Sequence, residues 1–195
     1  MKRICVIFLT AALVGCSSLK LVEQNSQEGQ ERFTVKKSPL SKEPVRHGNY
    51  TIWYPNGAKK MEVEYRNGQK DGVEILWDAF GAKLRETNYV NGNKSGKEIF
   101  WDNRGTLKKE IYYASGRQNG VETTFYDDGK KAKEELYKNG LKDGIEIGYD
   151  TQGRKTYESF YRLGKKDGKE IFYDYSAGDP PVVTEVKWAN GEVVK

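Results

Sequence analysis

The chain has 195 residues, with 33 Lys and Arg against 28 Asp and Glu for a formal net charge of +5, and only 36% of it is hydrophobic. Its charges are interspersed rather than blocked, the pattern of a solvated surface and not of a phosphate-binding stripe, which argues against nucleic acid as a partner. One histidine, His47, and two cysteines are too few for a Ser-His-Asp or Cys-His catalytic set or a zinc site, so no enzyme of those kinds and no cofactor is expected.

Residues 1–15 open with Met1-Lys2-Arg3 and continue as an apolar run from Ile4 to Val14. This is the length of an export signal and too short to span a bilayer as a helix. Its removal takes Lys2 and Arg3 and lowers the formal charge from +5 to +3. Cys5 leaves as well, so the mature chain has no partner for a second cysteine and must be stabilised by packing. The segment ends Leu13-Val14-Gly15-Cys16, which resembles the bacterial lipobox. That resemblance implies cleavage before Cys16, acylation of its thiol and a membrane anchor; each buried methylene of such chains contributes roughly 0.8 kcal/mol. Ser17 and Ser18 follow where Asp would retain a lipoprotein in the inner membrane, so the resemblance implies the outer membrane of a diderm bacterium, facing periplasm or surface. Residues 16–47 are rich in Ser, Gln, Glu and Lys, with Pro39 and Pro44. Their composition predicts a disordered tether with an average reach of roughly 30 Å.

From residue 48 to 195 the chain repeats every 24 residues. Glycines recur at Gly48, Gly72, Gly96, Gly120, Gly144 and Gly168, and further columns run through Gly57 to Gly153 and Gly68 to Gly164. A period of this size marks one supersecondary unit copied in tandem. Each copy has a short aromatic run closed by Asp-x-x-Gly or its equivalent, then a second run closed by Asn-Gly or Ser-Gly, which reads as two strands and their turns. The predicted fold is all-β: six tandem 24-residue β-hairpin repeats forming an elongated, twisted antiparallel sheet. Strands of five or six residues are expected, and register is left open because a one-residue slip exchanges the faces. Two glutamate columns, Glu74 to Glu170 and Glu62 to Glu158, have lysines nearby and predict cross-strand pairing on a wet face. Tyr50 stands where the first of these columns has glutamate, and Pro180-Pro181 interrupts the sixth copy, so both ends read as caps.

The unit Gly-x-Glu-Ile-x-Trp/Tyr-Asp-x-x-Gly followed by Lys-x-x-Glu-x-x-Tyr-x-Asn-Gly-x-x-Asp resembles the MORN-repeat variant family, which includes bacterial proteins labelled YwqK-type antitoxins. The resemblance covers Gly48 to Lys195 and implies a non-catalytic array used as scaffold and binding surface. The partners it implies are a protein, either a toxin or an envelope protein, with a glycan or phospholipid surface as the alternative. Candidate binding residues are the aromatic column Trp53, Trp77, Trp101, Phe125, Tyr149 and Tyr173, together with Tyr175 in the one irregular loop. Packing of the same rings as the spine of the sheet is the competing reading. Phe80, Phe100, Tyr112, Phe160 and Phe172 stand out as apolar where other copies vary.

Overall fold

A computed structural model describes residues 5–9, 19–38 and 41–194, with side chains described for 19–25, 27–37 and 43–194. Every regular element among them is a strand, as expected of an all-β hairpin array. Cys16 and most of the stretch read as an export signal lie outside the described residues.

Contacts divide the chain into two compact units. The first contains β1 (Cys5–Leu9), β2 (Lys20–Ser26), β3 (Gly29–Ser38), β4 (Ser41–Trp53), β5 (Lys59–Arg66), β6 (Gln69–Lys70), β7 (Gly72–Trp77) and β8 (Lys83–Val90), each antiparallel to its neighbour. Residues 93–96 and 101 of β9 (Asn93–Trp101) belong to this unit and residues 97–100 to the second. The second unit continues with β10 (Leu107–Ala114), β11 (Arg117–Phe125), β12 (Lys131–Lys138), β13 (Leu141–Tyr149), β14 (Lys155–Arg162), β15 (Lys165–Asp174), β16 (Val182–Ala189) and β17 (Glu192–Val193), again an antiparallel meander.

The tether expected over 16–47 is not what residues 20–38 and 41–47 form. They make β2, β3 and the start of β4, with Phe33 opposite Tyr50 and Gln30 opposite Trp53. Low apolar content misleads here because these strands belong to a sheet that buries little on either face; ladder hydrogen bonds and a few anchors such as Val22 and Tyr50 hold them.

Strands β10 to β16 of the second unit are eight to ten residues long rather than five or six. The reason lies in the glycines. Each tight turn takes two residues of positive φ, as at Asn139 (52°) and Gly140 (88°), the type I′ geometry that matches strand twist. Pairing resumes at once, then slips. Between the pairs Ile111↔Glu122 and Tyr113↔Gln118, β10 advances two residues while β11 advances four. The same bulge recurs between Glu135↔Glu146 and Tyr137↔Lys142, and between Ser159↔Glu170 and Tyr161↔Lys166. Gly120, Gly144 and Gly168 sit inside these bulges at φ +123°, +132° and +119°, conformations that L side chains avoid. The strand thus runs through the glycine column instead of starting at it.

The other turn of each copy is closed by its own side chain. Asp78 accepts from the amides of Phe80 and Ala82, both at 2.9 Å, and Asp150 from those of Gln152 and Arg154 at 3.0 and 2.9 Å. Such side-chain closure is why Asp favours this position. Where Tyr126 replaces Asp, its hydroxyl donates to the carbonyl of Tyr149 in the next copy at 2.5 Å.

Candidate binding surface

The register separates the hairpins into two faces of different chemistry. On the first lie Glu122, Glu135, Glu146, Ser159 and Glu170, paired in sequence across β11 to β15. All five are buried, as are Glu74 and Glu98. The wet-face expectation therefore fails for this glutamate column, and only part of it holds: the lysines do pair. Lys142 binds both Glu135 and Glu146, Lys166 binds Glu170, and Lys70 binds Glu74. Each partner in these last three pairs is four residues along the chain, within β13 and β15 for two of them and from β6 to β7 for Lys70 and Glu74, a distance of about 13 Å in a straight strand. The glycine bulge folds them together. Burial alone would raise the Glu135 carboxyl, but hydrogen bonds from Lys142 and Lys133 outweigh it and hold it below its usual range. Glu170 moves the same way, burial being overcome by Lys166, Ser159 and Trp188. Fully satisfied carboxylates of this kind do not serve as a reactive pair.

The substitutions in this face keep the pattern. Gln118 takes the lysine position and donates to Glu122 at 2.7 Å. In the first copy Tyr50 replaces the glutamate and Arg46 the lysine, and the guanidinium lies 4.4 Å over the Tyr50 ring. Phe33 and Tyr65 meet Tyr50 edge-on at 5.5 and 5.8 Å, so the N-terminal cap exchanges an ion pair for a cation–π cluster.

The second face carries Glu110, Thr123, Glu134, Ile147, Glu158 and Ile171 in one row across the strands. Here Lys131 pairs with Glu134 at 2.6 Å and Lys59 with Glu62 at 2.9 Å, three residues apart, while Glu110 takes Lys97 at 3.1 Å from thirteen residues earlier. The aromatic candidates lie at the strand ends beside this row, all half-buried. Most are already occupied by their neighbours. Arg32 lies over Trp53, Lys59 over Trp77 and Lys83 over Trp101, at 5.6, 5.8 and 5.4 Å. The Tyr149 hydroxyl donates to Glu134 at 2.6 Å, and burial followed by that bond pushes its pKa up to about 12. Burial likewise raises the Tyr173 hydroxyl, and the Arg154 guanidinium covers Tyr175 at 4.1 Å. These contacts tie the rings to the sheet.

Two of the rings border open space: Trp101, in a shallow depression of about 400 Å³ with Lys83, Asn103 and Arg104, and Phe125. Phe125 lines a shallow depression of about 480 Å³ with Glu110, Tyr112, Val121, Thr123 and Glu134. From that depression an apolar row runs across five strands: Tyr112, then Val121 opposite Leu136, then Ile145 opposite Phe160. Tyr112, Val121, Leu136 and Phe160 are each 36% to 40% exposed. The corresponding pairs in the first unit are Asn49 opposite Glu64 and Val73 opposite Asn88. The glycine bulges seat this row. A Cβ on Gly144 would come within 2.5 Å of Leu136, one on Gly120 within 2.9 Å of Tyr112, and one on Gly168 within 3.1 Å of Phe160. Tyr112 and Phe160 are visible in the sequence as off-pattern residues; Val121, Leu136 and Ile145 are not, because only the register shows that they share a face.

Among the described residues no group of three His, Cys, Asp or Glu is placed to hold a metal ion, and no helix is long and apolar enough to cross a membrane. A search of curated proteins found no match. The family model described as MORN repeat variant matches residues 46–67 and 118–139. These segments are the first and fourth copies, three periods apart, and each spans one cation position, its glycine bulge and the hairpin up to the next tight turn. The chain carries MORN-variant repeats.

Proposed function

We propose that this repeat protein is a non-catalytic protein-binding scaffold of the bacterial cell envelope, held at the outer membrane by lipid on Cys16. One observation carries the binding part: an exposed apolar row crosses the second unit at positions where three of the four counterparts in the first, Asn49, Glu64 and Asn88, are polar and the fourth is Val73. Buried interface cores are enriched in aromatic side chains and poor in charge, as this row is. Neutralisation of a toxin is one form such binding can take. Lysines of the protein itself lie over one face of the Trp77 and Trp101 rings, contacts that a stacked sugar would have to displace there, which supports a protein partner over a glycan.

The test compares the full chain with a Leu136→Ser, Phe160→Ser variant, each solubilised from cells in mild detergent. A stoichiometric partner is expected with the unaltered chain and not with the variant, while thermal midpoints stay within a few degrees. Equal recovery from both would remove the apolar row from the reading. Labelled palmitate is expected on the chain and absent after Cys16→Ser; a variant that still takes up label and stays in the membrane fraction would remove the anchor.

A further inference from the structure

We infer that the apolar row of the second unit receives an amphipathic helix from the partner, laid across the strands with acidic residues on the flank nearer the tight turns. This rests on the protein-binding reading above and names its partner chemistry. Length, direction and charge all bear on it. The row crosses the five strands β10 to β14 through Tyr112, Val121, Leu136, Ile145 and Phe160. At a spacing of about 4.8 Å between strands it is about 19 Å long, which a helix of about 13 residues spans at 1.5 Å per residue. Neighbouring side chains along it are one strand apart, close to the 5.4 Å pitch at which a helix repeats its apolar ridge. An extended peptide crossing the strands would present a side chain to this face about every 6.6 Å and would find no sheet edge to pair with on this face. Helices packed on sheet faces are how single-layer sheets ordinarily cover apolar surface.

The two flanks of the row differ in charge. Toward the middle of the strands, Glu110, Glu134 and Glu158 are each neutralised by a lysine of this chain, Lys97, Lys131 and Lys155. Toward the tight turns, alternation along β12 and β14 puts Lys138 and Arg162 on the same face, and both are exposed. Among the described residues neither has an ion-pair partner, whereas Arg66, at the equivalent position in the first unit, is held by Asp71 at 2.9 Å. Two free cations beside a half-exposed apolar row complement a helix with carboxylates on one flank.

The experiment uses the full chain carrying Cys16→Ser, purified without detergent, and synthetic peptides of about 14 residues. One has apolar residues at helical spacing with glutamates on one flank; a second has lysines in place of the glutamates; a third has the first one's composition with apolar residues at every other position. Binding is read by fluorescence anisotropy and helix formation by circular dichroism, where an all-β protein leaves the helical signal clear. The acidic helical peptide is expected to bind saturably, gain helix, bind at least about tenfold tighter than the other two, and lose that margin in a Leu136→Glu, Phe160→Glu variant. Equal binding of all peptides, preference for the alternating one, no binding, or an unchanged variant overturns the inference. So does uptake of the chain by anionic phospholipid vesicles that depends on Leu136 and Phe160 while no peptide binds, which would make the row a membrane surface. A photo-crosslinker at Leu136 in cells separates the two readings: a crosslinked protein segment that stays non-helical leaves the binding function standing and removes only the helix.

Discussion

Copies in the first unit and copies in the second share their turn glycines and the glycine at the bulge, yet their faces differ. The buried face carries Glu74 among Tyr50, Val63 and Thr87 in the first and a run of glutamates in the second, and the opposite face differs in one row. Glu64 and Asn88 in the first become Tyr112, Leu136 and Phe160 in the second. What is common to both units is what the backbone demands: positive φ at the turns and bulges, and a partner for every buried charge. What differs lies where the backbone demands nothing. In a tandem array, departures from the repeat at exposed positions are the place where recognition is written, and identity between copies reports folding.

Acid offers the largest test of the second unit. Glu134, Glu135 and Glu170 all lie in the second unit and hold their protons less tightly than the ordinary 4.5. A carboxyl lowered by folding adds stability that is complete above its unfolded value and is lost as pH falls through its folded value. Hydrogen exchange is therefore expected to lose protection over residues 106–194 as pH falls below about 4.5, and protection there that is unchanged by acid would contradict the assignment. Lys142→Ala comes next: Lys133 stays on Glu135 at 2.9 Å, but Glu146 is left buried without a cation, at a cost of about 3–5 kcal/mol in a denaturant titration. Lys70→Ala should cost less, because Arg85 remains 3.2 Å from Glu74. Gly144→Ala should cost roughly 3 kcal/mol through strain and the clash with Leu136. Gly129→Ala, at φ +84° in open space, should cost about 1–2 kcal/mol; equal losses would mean that the bulge does not seat the apolar row. The smallest effect is a gain. Leu163 sits at φ +49° where most other copies have Asn, so Leu163→Asn should raise stability by about 1 kcal/mol.

Period, turn types and strand class were all legible in the glycines and the Asn-Gly pairs, because those positions are dictated locally. The faces were not. Gly120, Gly144 and Gly168 insert extra residues into one strand of a pair, and no composition or spacing shows where a bulge exchanges inside for outside. Hence the Glu74 to Glu170 column, legible as a partner for lysine, could not be seen as buried, and Leu136 and Ile145 could not be seen beside Tyr112. The stretch 20–47 was missed for a related reason. Hydropathy detects two-layer cores, and in this sheet only a few apolar side chains are buried, among them Val22, Tyr50, Val63 and Ile111.

Folding a cation back onto a residue four places ahead gives each copy a natural seam. A 24-residue cassette cut at the Asn-Gly corners keeps Lys142 with Glu146 or Arg46 with Tyr50, and only the second contact of Lys142, to Glu135, crosses the cut, so whole cassettes can be shuffled, added or removed with that within-copy pair intact. One cut at the bulge glycine would, wherever the first copy is joined to another, bring a lysine to Tyr50 or an arginine to a glutamate, leaving that junction with mismatched halves.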